Sequence, residues 1–162
     1  MGSLRFEVLI ENRQKRTSIS RAKLERWVRR ILKLVGWHRA ALSVLLVSDA
    51  EIRRLHRQYK GEDRATDVLA FGQMEGKSFP QVKAPLLGDV VVSVETAKRV
   101  GPQYGNRWDK ELLLYILHGI LHLMGYRDST ARPKARMERK QEIILKKLLG
   151  AEWRSKKRKR LF

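Results

Sequence analysis

Twelve residues from Leu112 to Leu123 limit this chain more than any other stretch, because Leu112, Leu113, Leu114, Ile116, Leu117, Ile120, Leu121 and Leu123 leave almost no polar side. At 3.6 residues per turn these positions cover nearly the whole circumference of a helix. The run therefore predicts a central helix, over about 107–124, that the rest of the fold must surround. Asn106 is a candidate cap at its start and Gly125 a stop at its end.

Inside this apolar run sit His118 and His122. Side chains at i and i+4 stack on one helix face, so both imidazoles can reach a single ion. Two polar rings in a buried helix need partners, which a metal provides; a pair of hydrogen-bonded core histidines is the alternative. Asp128 follows after Gly125, where a left-handed residue lets the chain turn back toward the pair. Three protein donors leave a fourth position on a tetrahedral zinc ion, the arrangement of a catalytic site. The pattern points to metal-assisted hydrolysis. Zinc proteases of the H-E-x-x-H type carry a Glu beside the first His, and here that position is Gly119, which disfavours proteolysis. Phosphodiester cleavage fits better, since a metal polarises a phosphoryl oxygen and acidifies water.

Charge agrees with a polyanionic substrate. The 162 residues hold 36 Lys and Arg against 17 Asp and Glu, a formal net charge of +19. Such a field attracts nucleic acid or an anionic surface. No apolar run reaches the roughly 20 residues of a membrane span. There is no Cys, so His and carboxylate are the strong metal ligands available. The expectation is a cytoplasmic protein with no membrane attachment.

The remaining pattern alternates strands and helices. Arg5 to Ile10, Ala41 to Val47, Val68 to Phe71 and Leu86 to Val94 read as strands, with Gly72 to Pro85 as a loop. Ser20 can cap a helix to about Val35, and Ser48 with Glu51 forms a capping box for a helix to about Tyr59. A short helix from Glu95 to Val100 ends at Gly101-Pro102, and Pro133 opens a last helix that turns Met137, Ile144, Leu145, Leu148 and Leu149 inward. This order suggests an α+β or α/β sandwich around one mixed sheet. Residues 1–150 form the expected single domain. Residues 151–162, with six basic side chains, are the expected disordered tail, extending an RNA footprint to which 13–30 and 53–60 also contribute. His38 and His56 are expected at the surface, Tyr126 in packing, and Asp89 as an acceptor behind the metal ligands or a structural residue of its strand.

The run His118-Gly-Ile-Leu-His122-Leu-Met-Gly125-Tyr126 resembles the signature of the YbeY family of bacterial ribosomal RNA maturation factors, metal-dependent endoribonucleases. Tyr59-Lys-Gly-Glu-Asp63-Arg-Ala-Thr66-Asp67-Val-Leu-Ala-Phe71 and Leu87-Gly-Asp89-Val-Val-Val-Ser93-Val-Glu95-Thr96-Ala97 are similar to two further stretches of that family, in the same order. The resemblance implies an α+β fold, a single mixed sheet of about four strands flanked by helices, with a metal site at the C-terminal end of the buried central helix. It also implies single-strand RNA cleavage in small-subunit ribosomal RNA 3′-end maturation and ribosome quality control, with ribosomal RNA and the ribosome or its precursors as partners. An RNA-binding assembly factor with a weakened site is the alternative.

Two positions depart from the family pattern. After Gly-Tyr the family has Asp then His, and this chain has Arg127 and Asp128. Counting from His118 places Asp128 on the third ligand position, giving a His118, His122, Asp128 set for one zinc ion; a one-residue insertion at Arg127 would align Ser129 instead, a poor ligand. Such a set is harder and more anionic than three histidines, which raises the pKa of water on the ion and shifts metal preference. Lys60 stands where the family has an Arg implicated in catalysis, so charge is kept and the bidentate fork is lost.

Overall fold

A computed structural model of the chain describes residues 5–62, 66–72, 86–155 and 158. The part of the expected 72–85 loop that spans 73–85 lies outside the described residues. Among the described residues, four strands form one sheet: β1 (Arg5–Asn12), β2 (Arg39–Val47), β3 (Val68–Gly72) and β4 (Leu86–Ser93), in the order β1-β2-β4-β3. β1 and β4 each run parallel to β2, and β3 pairs antiparallel with β4 at the edge. Among the described residues, the five α-helices are α1 (Arg21–Leu34), α2 (Asp49–Lys60), α3 (Val94–Val100), α4 (Trp108–Leu123) and α5 (Ala131–Leu149). The expected α+β architecture is what the chain adopts.

Side chains alternate across a pleated strand, and here each face has its own apolar set. One face carries Ile10, Leu42, Val44, Val68, Val90 and Val92, in one buried cluster with the apolar sides of α1, α4 and α5. The other buries Val47, Leu69 and Val91 with Ile52 of α2. Burying a Leu or Ile side chain contributes roughly 1.5–3 kcal/mol, so the larger cluster dominates stability. α4 runs through it with eleven consecutive buried residues, Glu111 to Leu121.

Local signals explain most boundaries. The Ser20 hydroxyl accepts from the Lys23 amide and the Ser48 hydroxyl from the Glu51 amide. Only half of the Ser48–Glu51 capping box forms. The Glu51 carboxylate takes Arg13, while Glu95 Oε1 accepts the Asp49 amide. Asn106 does not cap α4: Arg107 is the N-cap, without a side-chain bond. The buried Asn106 amide instead accepts from the Arg154 amide and donates to the Arg154 carbonyl. His56, expected at the surface, is buried at 6% exposure because it lies one turn beyond Ile52 on the inner side of α2.

The start of the expected tail packs on the body. Residues Gly150–Glu152 form a 3-10 turn and Trp153 is buried, with its indole donating to Glu142. Arg158 makes two hydrogen bonds of 2.5 and 2.6 Å to Glu111, a carboxylate with no exposure. Its guanidinium also lies over the Tyr104 ring. The charge run is thus anchored at Arg158.

Candidate metal centre

At the end of α4 the backbone closes in a Schellman turn: the Tyr126 amide reaches the Leu121 carbonyl and the Gly125 amide reaches that of His122, both at 3.0 Å. Gly125 has φ 102°, which a residue with a Cβ adopts only under strain. This reversal carries Asp128 back over the last turn of the helix. One Oδ of Asp128 lies 3.4 Å from His118 Nε2 and 3.3 Å from His122 Nε2, and the two Nε2 atoms are 2.9 Å apart. Asp128 joins the histidines, and Ser129 is exposed.

The geometry and tautomers suit a cation. Tetrahedral donors at 2.0–2.2 Å from a metal lie about 3.3–3.6 Å from one another; the two Asp128 separations match this, and the 2.9 Å between the Nε2 atoms is shorter. His122 Nδ1 is 3.1 Å from the Tyr126 carbonyl, and His118 Nδ1 is 2.5 Å from Gln141 Oε1. Both carbonyl oxygens accept, so the ring protons reside on Nδ1 and the two Nε2 lone pairs converge. Such lone pairs repel unless something positive lies between them. Burial, followed by the neighbouring His118, holds His122 below the ordinary histidine value. With a proton also on His118 Nε2, hydrogen bonding from that ring holds the Asp128 carboxyl at about 2, against the effect of burial. At neutral pH both residues are therefore in the form that binds metal. His118 is almost completely buried, whereas His122 and Asp128 are partly exposed, so the triangle opens to solvent on their side.

Gly119 has a physical reason to lack a side chain. A Cβ there would lie 2.7 Å from one methyl of Val90 and 3.2 Å from Val68, since α4 crosses β3 and β4 at that point. The position a zincin would use for its general base faces the sheet. A metalloprotease arrangement is closed off by packing.

Other expected positions lie elsewhere. Lys60 ends α2 and is exposed, with its ammonium 5.6 Å from the centroid of the Phe71 ring; among the described residues it makes no hydrogen bond or ion pair to the three donors. Asp89 alternates with Gly88 and Val90, which face α4, so it sits on the α2 side and not behind the ligands. Tyr126 packs against the core, as expected. Asp67 opens β3, its carbonyl accepting the Ser93 amide. Its mostly buried carboxyl is pushed up to about 6 by burial, then by the charge of Glu111, with His118 and Arg158 opposing. Burial, together with Glu111 and Asp67, likewise raises the Tyr115 phenol.

Sequence reasoning missed Gln141 and Glu111. Each left a trace. Gln141 interrupts the inward series Met137, Ile144, Leu145 and Leu148 of α5, and Glu111 is the charge that directly precedes the apolar run of α4.

A mixed sheet, a buried helix and a His-His-Asp triangle where that helix ends define an α+β protein with a three-donor centre of the type found in metal-dependent hydrolases. Residues 9–149 match the family model for Endoribonuclease YbeY. The Endoribonuclease YbeY of Geobacter metallireducens is 38% identical over 142 residues, covering 86% of this chain and 93% of that one. That of Pelotomaculum thermopropionicum is 37% identical over 146 residues, covering 87% and 96%. The solution structure of TM1509 from Thermotoga maritima superimposes with a TM-score of 0.59 at 29% identity, over 93% of this chain and 92% of the other. The chain belongs to the YbeY endoribonuclease family. Among the described residues, no helix is long and apolar enough to cross a membrane.

Proposed function

We propose that this protein is a metal-dependent single-strand endoribonuclease of small-subunit ribosomal RNA 3′-end maturation, with His118 Nε2, His122 Nε2 and Asp128 Oδ holding one zinc-like ion. The observation that carries this reading is the convergence of those three atoms, with both Nδ1 positions tied to carbonyl oxygens. A bound divalent ion supplies Lewis acidity toward a phosphoryl oxygen and acidifies water.

The chain's own groups do the rest. Gln141 and Tyr126 fix the two rings, so donor geometry is set before an ion arrives. Asp128 adds one negative charge, which suits a hard dication. Lys60, at the end of α2, supplies a point charge for an RNA phosphate. Ribosomal RNA in its precursor particle is the substrate, met in the cytoplasm.

Protein purified without chelators or a metal-affinity tag provides the test. Wild type carries about one equivalent of transition metal per chain and cleaves single-stranded RNA but not casein, while His122→Ala and Asp128→Ala lose both metal and cleavage. Full metal content and activity in Asp128→Ala rejects the third ligand. Wild-type protein that holds metal but leaves RNA intact rejects the nuclease reading.

A further inference from the structure

Beside the metal centre an open groove of about 770 Å³ runs between the turn at 124–127 and the first half of α5. Arg127 lines it from the turn, and Arg132, Arg136 and Arg139 line it from the helix. The spacing i, i+4, i+7 sets these three on one face, spread over about 10 Å of helix axis. All four are exposed, and among the described residues none is paired with a carboxylate. By contrast, Arg13, Arg29, Arg99 and Arg158 each hold an acidic partner.

Like charges one turn apart repel, so a bare stripe of this kind works against the helix that carries it. Two further features strengthen the positive field. The first turn of α5 contains no acidic residue, and its N-cap Thr130 makes no side-chain bond, so the helix N-terminus is open to an anion. Arg136 is already directed along the wall, its guanidinium 5.9 Å from the centroid of Tyr126. Arg127 of the groove lining directly precedes Asp128 in the chain.

We propose that this groove is a phosphate track for single-stranded RNA, in which Arg132, Arg136 and Arg139 hold the backbone of the nucleotides flanking the cleaved bond. The proposal rests on the endoribonuclease reading of the adjacent centre. Guanidinium forks grip phosphate oxygens bidentately, so the track supplies grip and direction without reading bases. These residues position substrate. The chemistry stays with the metal centre.

The test is binding of a single-stranded oligoribonucleotide with 2′-O-methyl riboses against salt concentration, with cleavage of the unmodified RNA measured in parallel. Each phosphate contact on a single strand contributes about 0.7 to the salt slope. The triple variant Arg132→Gln, Arg136→Gln, Arg139→Gln should lower the slope by about 2 and weaken binding roughly 100-fold at 0.1 M salt. A charge-matched triple away from the groove, Arg5→Gln, Lys33→Gln, Arg39→Gln, all exposed, should weaken it far less. Cleavage by the α5 triple should show a raised KM with kcat retained at saturating RNA. The single variant Arg136→Gln, with a slope change of about 0.7, serves should the triple fail to fold.

Equal weakening by both triples means a diffuse field and overturns the proposal, as does wild-type affinity in the α5 triple or no RNA binding by wild type. Wild type that cleaves RNA beside an unaffected α5 triple rejects the track alone. Binding that depends on the α5 arginines in a protein that never cleaves RNA rejects the nuclease reading and supports the track.

Discussion

Arg158→Ala tests whether the basic C-terminal segment is a solvated extension or part of the core. Glu111 has no exposure and both its oxygens bond to Arg158, so the substitution strands a buried carboxylate. Leaving it charged costs about 3–5 kcal/mol. That corresponds to a fall in Tm of roughly 6–20 °C for a domain of this size. Thermal unfolding followed by circular dichroism should show this deficit, and adding Glu111→Gln to the variant should remove most of it, because a neutral amide is cheaper to bury than an unpaired carboxylate. Melting that coincides with wild type, or a deficit that Glu111→Gln leaves unchanged, refutes the reasoning.

Asp67→Asn should stabilise the protein at pH 8 by up to about 3 kcal/mol, since the folded carboxyl titrates near 6 rather than near 4 and its ionisation opposes folding as pH rises through that window; urea unfolding should show the gain vanish near pH 4. Gly119→Ala should destabilise by about 1–2 kcal/mol, because overpacking against Val90 outweighs the roughly 1 kcal/mol that Ala adds to a helix, and Val90→Ala in the same chain should restore much of it. Gln141→Leu should leave the fold intact and weaken metal affinity about 10–100-fold in a chelator competition, through loss of the acceptor on His118 Nδ1.

The sequence spelled out the elements where one residue's chemistry decides a boundary. Ser20, Ser48 and Gly125 each act within a turn or two of their own position, and their roles hold in the fold. Asn106 failed as a cap because its amide was claimed by Arg154, 48 residues away, which no local pattern reveals. The same limit applies at the centre. The histidine pair and the returning Asp128 were legible from spacing, whereas Gln141 reaches His118 only because α5 folds back along α4. Lys60 was chosen by likeness to a motif, and its contact with Phe71 gives no geometric link to the three donors. His56 shows the converse error, since a histidine outside any metal spacing still became a buried residue of α2.

The contact between Gly119 and Val90 has an evolutionary side. A helical His pair is a shared starting point for hydrolytic zinc chemistry, and a Glu beside the first His is one substitution toward peptide cleavage. In this fold that step meets the sheet at 2.7 Å before it can meet a substrate. The backbone would have to separate first, at the expense of the core that makes the site rigid. Descendants of such a chain can vary the metal, as a carboxylate at Asp128 allows, and can recruit new arginines along α5, but the door to proteolysis is shut from the inside.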